Sequence, residues 1–417
     1  MMETMKKCTG YTMVEIIVVI VVIGVLAAIT LVAYTGIRKR AIIASVQSDL
    51  NMASSQIKLY YAENSVYPTS VTDCPSPATG NICVNSNSGN VYKYNVNTTT
   101  SPQTFGLTAV NSSTNISYRL VNDSAPIPCS DGFIVVPGNS LYGTSDFCVM
   151  KYEAKQVGST NVPVSQAINS PWVNISQNNA KVISQNVVGC DNCHLITEAE
   201  WLTIAQNVLS VTSNWSCGVI GTGSDADCYA RTGHYNYIYT GHNDEQSVLG
   251  EGVPIPATSD DSDGYYDTSN YSGQLDIQNG VIGDTQRRTL TLTNGEVIWD
   301  LAGNVLERTQ GIIAGGQQPG LLGETSYPDP KEWNNSQLLQ NGLPDIAMPG
   351  HTGLAGASGW SSAQGIGTLY SNYGETNTTS YERGGAYASG YKSGVFALFF
   401  GDDSDSEWVK CGFRVAQ

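Results

Sequence analysis

Residues 10–40 read GYTMVEIIVVIVVIGVLAAITLVAYTGIRKR. From Ile16 to Ile37 no side chain carries charge, and Arg38-Lys39-Arg40 follows at once. A run of this length is enough to cross a bilayer as a helix, so a transmembrane half is expected over about 14–37. The flanking bases favour the cytoplasmic side in a simple membrane protein. Two details separate the stretch from a secretory signal or a plain anchor. Glu15 abuts the apolar run, and the helical pattern continues past the bases. Ile42, Val46, Leu50, Ala53, Ile57 and Tyr60 recur at spacings of three and four, which predicts one long amphipathic helix over 11–64. Tyr67-Pro68 ends it, because a residue before proline leaves the helical region.

Outward from this helix, Lys6-Lys7 form a short basic leader before Gly10-Tyr11-Thr12-Met13-Val14-Glu15. This pattern resembles the type IV prepilins and pseudopilins. The resemblance implies cleavage between Gly10 and Tyr11 by a prepilin peptidase, methylation of the new amino terminus, and pairing of Glu15 with a neighbouring pilin subunit. Tyr11 departs from the Phe usual in the family. A carboxylate in hydrocarbon is costly unless paired, which fits that role for Glu15.

Composition agrees with export. Of 417 residues only 13% are charged, and 36 acids face 20 bases for a net charge of −16, against roughly 25% charged in ordinary soluble domains. Loss of a ten-residue leader, with Glu3, Lys6 and Lys7, leaves 35 acids and 18 bases, a net −17. Nucleic acid is excluded as a partner because phosphate contacts need concentrated Lys and Arg. Gly (43) and Tyr (23) stand out, with 7 Phe and 7 Trp. The 41% hydrophobic fraction still builds cores, and the length suggests two or three domains.

Ten cysteines, several of them close neighbours, suit local disulfides in an oxidising compartment. Cys74 and Cys83 are placed to close one loop. Zinc is the competing reading at Cys190-Asp191-Asn192-Cys193 with His194, although no second ligand pair follows. With Cys8 in the leader, the mature chain holds an odd number.

Residues 65–125 are rich in Ser, Thr, Asn and Gly. Val91 to Val96 and Ile116 to Leu120 read as strands with one buried face, and a helix followed by a small antiparallel sheet is what pilin heads look like. Ala125-Pro126-Ile127-Pro128 reads as a stiff junction. Beyond it, Phe133 to Pro137 and Phe147 to Glu153 read as a strand pair, and Thr197 with Glu200 as a capping box. The helix that box opens presents Trp201, Ile204, Ala205 and Val208 on one face.

Four segments in 126–417 together resemble the sulfatase-modifying-factor (formylglycine-generating enzyme) family, a variant of the C-type lectin fold. They are that strand pair; Pro171 to Ser176 with Leu195-Ile196-Thr197-Glu198-Ala199-Glu200-Trp201; Val297 to Glu307 around Trp299-Asp300-Leu301-Ala302-Gly303-Asn304; and Arg383-Gly384-Gly385 with Gly412-Phe413-Arg414-Val415. The family's copper-binding cysteines would fall at Ser389 and Gly394, which supply no soft ligand, so no enzyme, no copper and no catalytic residue are expected. Iron is not expected either, since His194, His234, His242 and His351 lack ligand spacing. The resemblance implies calcium on Asp300, Gly303, Val305 and Glu307, hard oxygens on a tight loop; the alternative is that Asp300 and Glu307 only brace the turn. Asp260-Asp261-Ser262-Asp263-Gly264 reads as a solvated acidic turn. Alongside Cys74–Cys83, Cys217–Cys228 is an expected bridge, with Cys190–Cys193 a strained alternative. Cys129, Cys148 and Cys411 compete for one bond, because the first and last strands of this fold lie together.

The last residues are crowded with Tyr, Ser and Gly, the types that dominate adaptable paratopes. They resemble the variable end of retroelement-diversified proteins, which share the lectin fold. That implies ligand-binding or variable positions at Tyr387, Ala388, Ser389, Tyr391, Ser393, Phe399, Gly401, Asp402, Asp405, Trp408 and Val409, with Trp333 and Trp360 as further candidates. The fold class is therefore α+β: leader 1–10, pilin helix 11–64, β head 65–125, and a C-type-lectin-like domain 126–417. The functional expectation is a surface-displayed pilin-like subunit that binds an extracellular protein or glycan without catalysis. A minor secretion pseudopilin and a residual formylglycine-generating-type oxidase are the alternatives. The chain would sit in the cytoplasmic membrane before assembly and then in a pilus or pseudopilus, with its C-terminal domain outside the cell.

Overall fold

The computed structural model describes residues 13–86, 89–98, 102–221, 225–232, 235–243, 253–261, 265–266, 286–321, 329–339, 343, 347–354, 356–371, 376–400 and 403–417, without the side chains of 15, 28–33, 225–226, 231–232, 265–266, 329 and 339. Helix α1, Met13–Asn64, is continuous, since no proline interrupts it. It ends where Ser65 turns left-handed at φ 58°, ahead of Pro68. Its two halves differ. Val46, Leu50, Ala53 and Ile57 are fully buried, whereas Ile20 is 59% exposed and Leu26 57%. Among the described residues no helix is long and apolar enough to cross a membrane.

The buried stripe of α1 lies on a four-stranded antiparallel sheet of β1 (Asn90–Asn97), β2 (Thr104–Asn111), β3 (Ser117–Val121) and β4 (Ile127–Pro128), in that order. Phe105, Leu107, Ala109 and Leu120 complete the core. Strand β2 escapes a reading by alternation because it is buried on both faces over most of its length, so its period-two signal vanishes. Within the expected junction, Ile127 and Pro128 pair with Arg119 and Tyr118 as an edge strand. A proline is tolerated at such an edge because its missing donor faces away from the ladder.

The larger unit opens with the hairpin β5 (Phe133–Val136) and β6 (Phe147–Met150). Then come α2 (Gln177–Ile183), β7 (His194–Leu195) and α3 (Glu198–Leu209), and the hairpin β8 (Thr289–Thr291) and β9 (Val297–Trp299). Strands β10 (Leu306–Ile313), β11 (Asp329–Lys331), β12 (Leu369–Ser371), β13 (Thr379–Gly384), β14 (Gly394–Phe399) and β15 (Cys411–Phe413) build a six-stranded sheet, order β11-β12-β14-β13-β10-β15. The terminal strand β16 (Val415–Ala416) inserts between β6 and β7, so the two ends of this unit meet, and Ser130 donates to Gln417 Oε1.

Thr197 caps α3 and Glu200 closes the capping box. The helix does not bury one face as its spacing implied: Trp201 through Leu209 are all buried, because α3 lies within the main core, where Trp201 donates to the Val395 carbonyl at 2.9 Å. Disulfides join Cys74–Cys83, Cys129–Cys148, Cys190–Cys193 and Cys217–Cys228; Cys411 is buried and outside them.

Head and larger unit are locked together. Arg119 of β3 donates Nη2 to Glu296 Oε2 at 2.7 Å, Nη1 to Thr108 and Nε also to Glu296. Lys93 pairs with Asp131 and Lys39 of α1 with Asp191. Gly295, at φ +88°, lies so near Thr104 that a Cβ would be 2.3 Å from its hydroxyl.

Candidate functional site

Gly10 and Tyr11 lie outside the described residues, as does the side chain of Glu15. On either side of Glu15 the helix presents exposed apolar side chains: Met13, Val14, Ile16, Ile17, Val18 and Val19. Bare apolar area of this extent needs a cover of lipid or protein.

In the larger unit, the four motif segments bind one another. Arg383 of the Arg-Gly-Gly donates Nη2 to Glu198 at 2.5 Å. Arg414 of the terminal Gly-Phe-Arg donates to Glu307 Oε1 at 2.6 Å and Oε2 at 3.0 Å. Asn304 donates Nδ2 to Glu153 at 2.6 Å, and the Val305 N–H donates to the same carboxylate at 3.2 Å. Buried charges persist only when paired in this way.

Arginines already hold the two carboxylates of the expected calcium set. Asp300, at φ 55°, receives Nε and Nη2 of Arg288 at 2.7 Å each, and Glu307 receives Arg414. A fork-to-fork guanidinium occupies the oxygens a cation would need. Asp300, Gly303, Val305 and Glu307 therefore do not fit a resident calcium ion, and the two carboxylates brace the turn. Among the described residues no three His, Cys, Asp or Glu side chains converge as a metal set. The zinc alternative fails locally too: Cys190 and Cys193 are joined, and His194 Nε2 lies 2.9 Å from Glu200.

Beneath the turn, Glu153 and Lys155 are fully enclosed, with Lys155 Nζ 3.7 Å from Glu153 Oε2. Burial, reinforced by Asp300, pushes the Glu153 carboxyl up to about 8. Burial likewise lowers Lys155, against the pull of Glu153. Neither residue stood out in the sequence, because a lone Glu or Lys reads as solvated. At the histidines, the His194 imidazole is raised by its hydrogen bond to Glu200, His242 is buried with Nδ1 3.4 Å from Asn304 Oδ1, and His234 lies outside the described residues.

The expected C-terminal binding set divides. Tyr387 is 4% exposed, Ser393 1% and Phe399 8%: these three are corrected to interior positions, because β14 is a central strand and Tyr387 is covered by His242 and Lys410. Trp333 and Trp360 are likewise core residues. Ala388, Ser389 and Tyr391 are half-buried, while Asp405, Trp408 and Val409 are exposed, Trp408 by 43%. Gly401 and Asp402 lie outside the described residues. The exposed segment is held firmly: Gln177 N–H donates to Ser404 O, Asn174 N–H to Trp408 O and Arg308 Nη2 to Ser406 O.

Ser389 Oγ accepts from the Ala386 N–H at 2.9 Å. A Cβ at Gly394 would lie 2.1 Å from the Ile366 carbonyl carbon and 2.2 Å from Gly367 N, so that place has no room for any side chain. Asp261 receives Lys151 at 2.7 Å and Trp299 Nε1 at 2.9 Å; Ser262 to Gly264 lie outside the described residues. Asp261 also lines a cleft of about 690 Å³ between β1 and the larger unit, with Tyr94, Asn97, Asp260, Arg287 and Val297. It is illegible from sequence, since its walls come from both units.

The class of the N-terminal segment is plain: residues 5–31 match the prokaryotic N-terminal methylation motif. Among individual proteins, the chain is similar to type II secretion system core protein G. Identity is 34% over 68 residues with that of Vibrio cholerae serotype O1, covering 16% of this chain and 47% of the relative. It is 39% over 64 residues with that of Dickeya chrysanthemi, covering 15% and 42%, and 38% over 65 residues with that of Klebsiella pneumoniae, covering 16% and 46%. The chain thus spans just under half the length of the curated relatives it matches, and its N-terminus is pilin- and pseudopilin-like.

Proposed function

We propose that this protein is a pilin-like subunit that displays a ligand-binding unit at the cell surface. A prepilin peptidase cuts after Gly10, the apolar half of α1 holds the subunit in the membrane, and other pilin subunits then cover it in a pilus or pseudopilus. The carrying observation is the division of α1, with Val46, Leu50, Ala53 and Ile57 sealed in the head and Ile16 to Leu26 bare. The methylation motif supports processing and assembly.

The displayed unit is a formylglycine-generating-enzyme-type C-type-lectin domain without catalysis. Support comes from the ion pairs and hydrogen bonds that tie its four motif segments together and from the lack of room at Gly394. Its ligand face comprises Ala388, Ser389 and Tyr391 with the Asp403–Val409 segment. Acidic Asp403, Asp405 and Glu407 favour a basic or neutral protein or glycan. Exposure also suits Ala388, Ser389, Tyr391, Asp405 and Val409 to sequence variation. Sequencing the gene's 3′ end in sister cells, with any nearby template repeat, tests that extension; an invariant end without a repeat removes it.

Similarity to type II secretion system core protein G favours a second reading, a minor secretion pseudopilin. Deleting residues 129–417 in the producing cell separates the two. Loss of adhesion with secretion intact supports display and binding; loss of secretion supports the pseudopilin.

A further inference from the structure

We propose that Lys155 and Asn304 become joined by an intramolecular isopeptide bond. Three side chains meet in a dry pocket: Glu153 is 1% exposed, Lys155 0% and Asn304 0%. One oxygen, Glu153 Oε2, receives Asn304 Nδ2 at 2.6 Å and lies 3.7 Å from Lys155 Nζ. Nζ makes no hydrogen bond among the described residues, an expensive state for a buried ammonium. Conversion to an amide nitrogen removes that cost.

The rest of the pocket is arranged for the same reaction. Asn304 sits at φ 65°, on the braced turn, which holds its side chain against Glu153. Its carbonyl oxygen Oδ1 accepts the Ile255 N–H at 2.9 Å and faces His242 Nδ1 at 3.4 Å. These groups stand where negative charge develops when a nucleophile adds to Cγ.

The chemistry balances within these groups. Lys155 passes a proton to Glu153 and the neutral amine attacks Asn304 Cγ, forming the Nζ–Cγ bond. Charge collects on Oδ1, then returns as the Cγ–Nδ2 bond breaks. Glu153 hands its proton to Nδ2, which leaves as ammonia, and the freed carboxylate takes the second proton from Nζ, so a lysine ammonium, a carboxylate and a primary amide become a secondary amide, a carboxylic acid and ammonia. No oxidant or cofactor takes part. The product ties the segment after β6 to the Asp300–Glu307 turn and makes the fold resistant to pulling from either end.

Peptide mapping of the full chain tests this. After tryptic digestion, residues 152–181 are expected as one branched species with residues 289–308, lighter by about 17 Da than the two peptides together. Recovery of separate 152–155, 156–181 and 289–308 peptides from folded protein overturns the proposal. Glu153→Gln is expected to keep the circular dichroism of the parent and lose the branched species. Equal branching in that variant overturns the role given to Glu153.

Discussion

Lys410 Nζ lies 5.4 Å from the ring centroid of Tyr387, joining the turn that follows β13 to the acidic segment that precedes β15. The contact covers Tyr387, whereas Trp408, two residues before Lys410, is 43% exposed. Trp408→Ala is therefore expected to abolish ligand adhesion while leaving the urea midpoint within experimental error. Tyr387→Ala should instead cost about 3 kcal/mol by emptying a buried site. Adhesion assays and urea unfolding of both variants check this, and unchanged adhesion in Trp408→Ala counts against the proposed face.

Across the junction, Arg119 and Glu296 have only 8% and 1% of their side chains exposed. Removing either partner leaves a buried charge unpaired, so Arg119→Ala or Glu296→Ala should each destabilise by about 3–5 kcal/mol. Chemical denaturation checks the size. The double variant should lose less than the sum of the singles, because no lone charge remains.

Gly394→Cys tests the non-catalytic assignment. With a Cβ 2.1 Å from backbone carbon, the strand must shift, and the variant should melt at lower temperature without gaining copper-dependent thiol oxidation. Oxygen uptake with a thiol peptide as substrate is the measurement.

Because Arg288 and Arg414 already occupy Asp300 and Glu307, millimolar calcium or a chelator should leave the melting temperature unchanged. Differential scanning fluorimetry decides it; a chelator-induced drop would mean that a cation displaces these arginines.

The His194–Glu200 pair gives a pH signature. The hydrogen bond His194 donates to Glu200 raises the imidazole, so that contribution is complete below the ordinary value of 6.5 and fades as pH rises past the raised one. For Glu200, burial works upward but is outweighed by His194 and Thr197, and the carboxyl is lowered. Its contribution is complete above 4.5 and fades as pH falls through the lowered value. The stability difference between the parent and His194→Gln should peak between those two values, and melts across pH test this. A flat difference refutes the coupling.

Several elements were legible because their signal is local. The α1 pattern, the Thr197 capping box and the Phe133–Val136 hairpin each rest on spacing within a few residues. Strand β2 was illegible because burial on both faces erased its alternation, and the Pro128 edge strand because a Pro-rich stretch reads as a linker. At the candidate site, Trp408 and Tyr391 were singled out by composition, but so were Tyr387 and Phe399, which share their residue types and are buried. Composition reports what a side chain prefers and is silent on which way a strand turns it.

By itself, then, the sequence determined the long helix, its processing motif, the small-residue turns and the absence of soft ligands at Ser389 and Gly394. Tertiary structure alone decided that Arg288 and Arg414 take the carboxylates of Asp300 and Glu307, that Glu153 meets both Lys155 and Asn304, and that Cys129 bonds Cys148. The reason is physical. Helix periodicity and capping act within one turn, whereas a buried charge can be paired from far along the chain, as Glu307 is by Arg414, 107 residues on, and only the packed core chooses the partner.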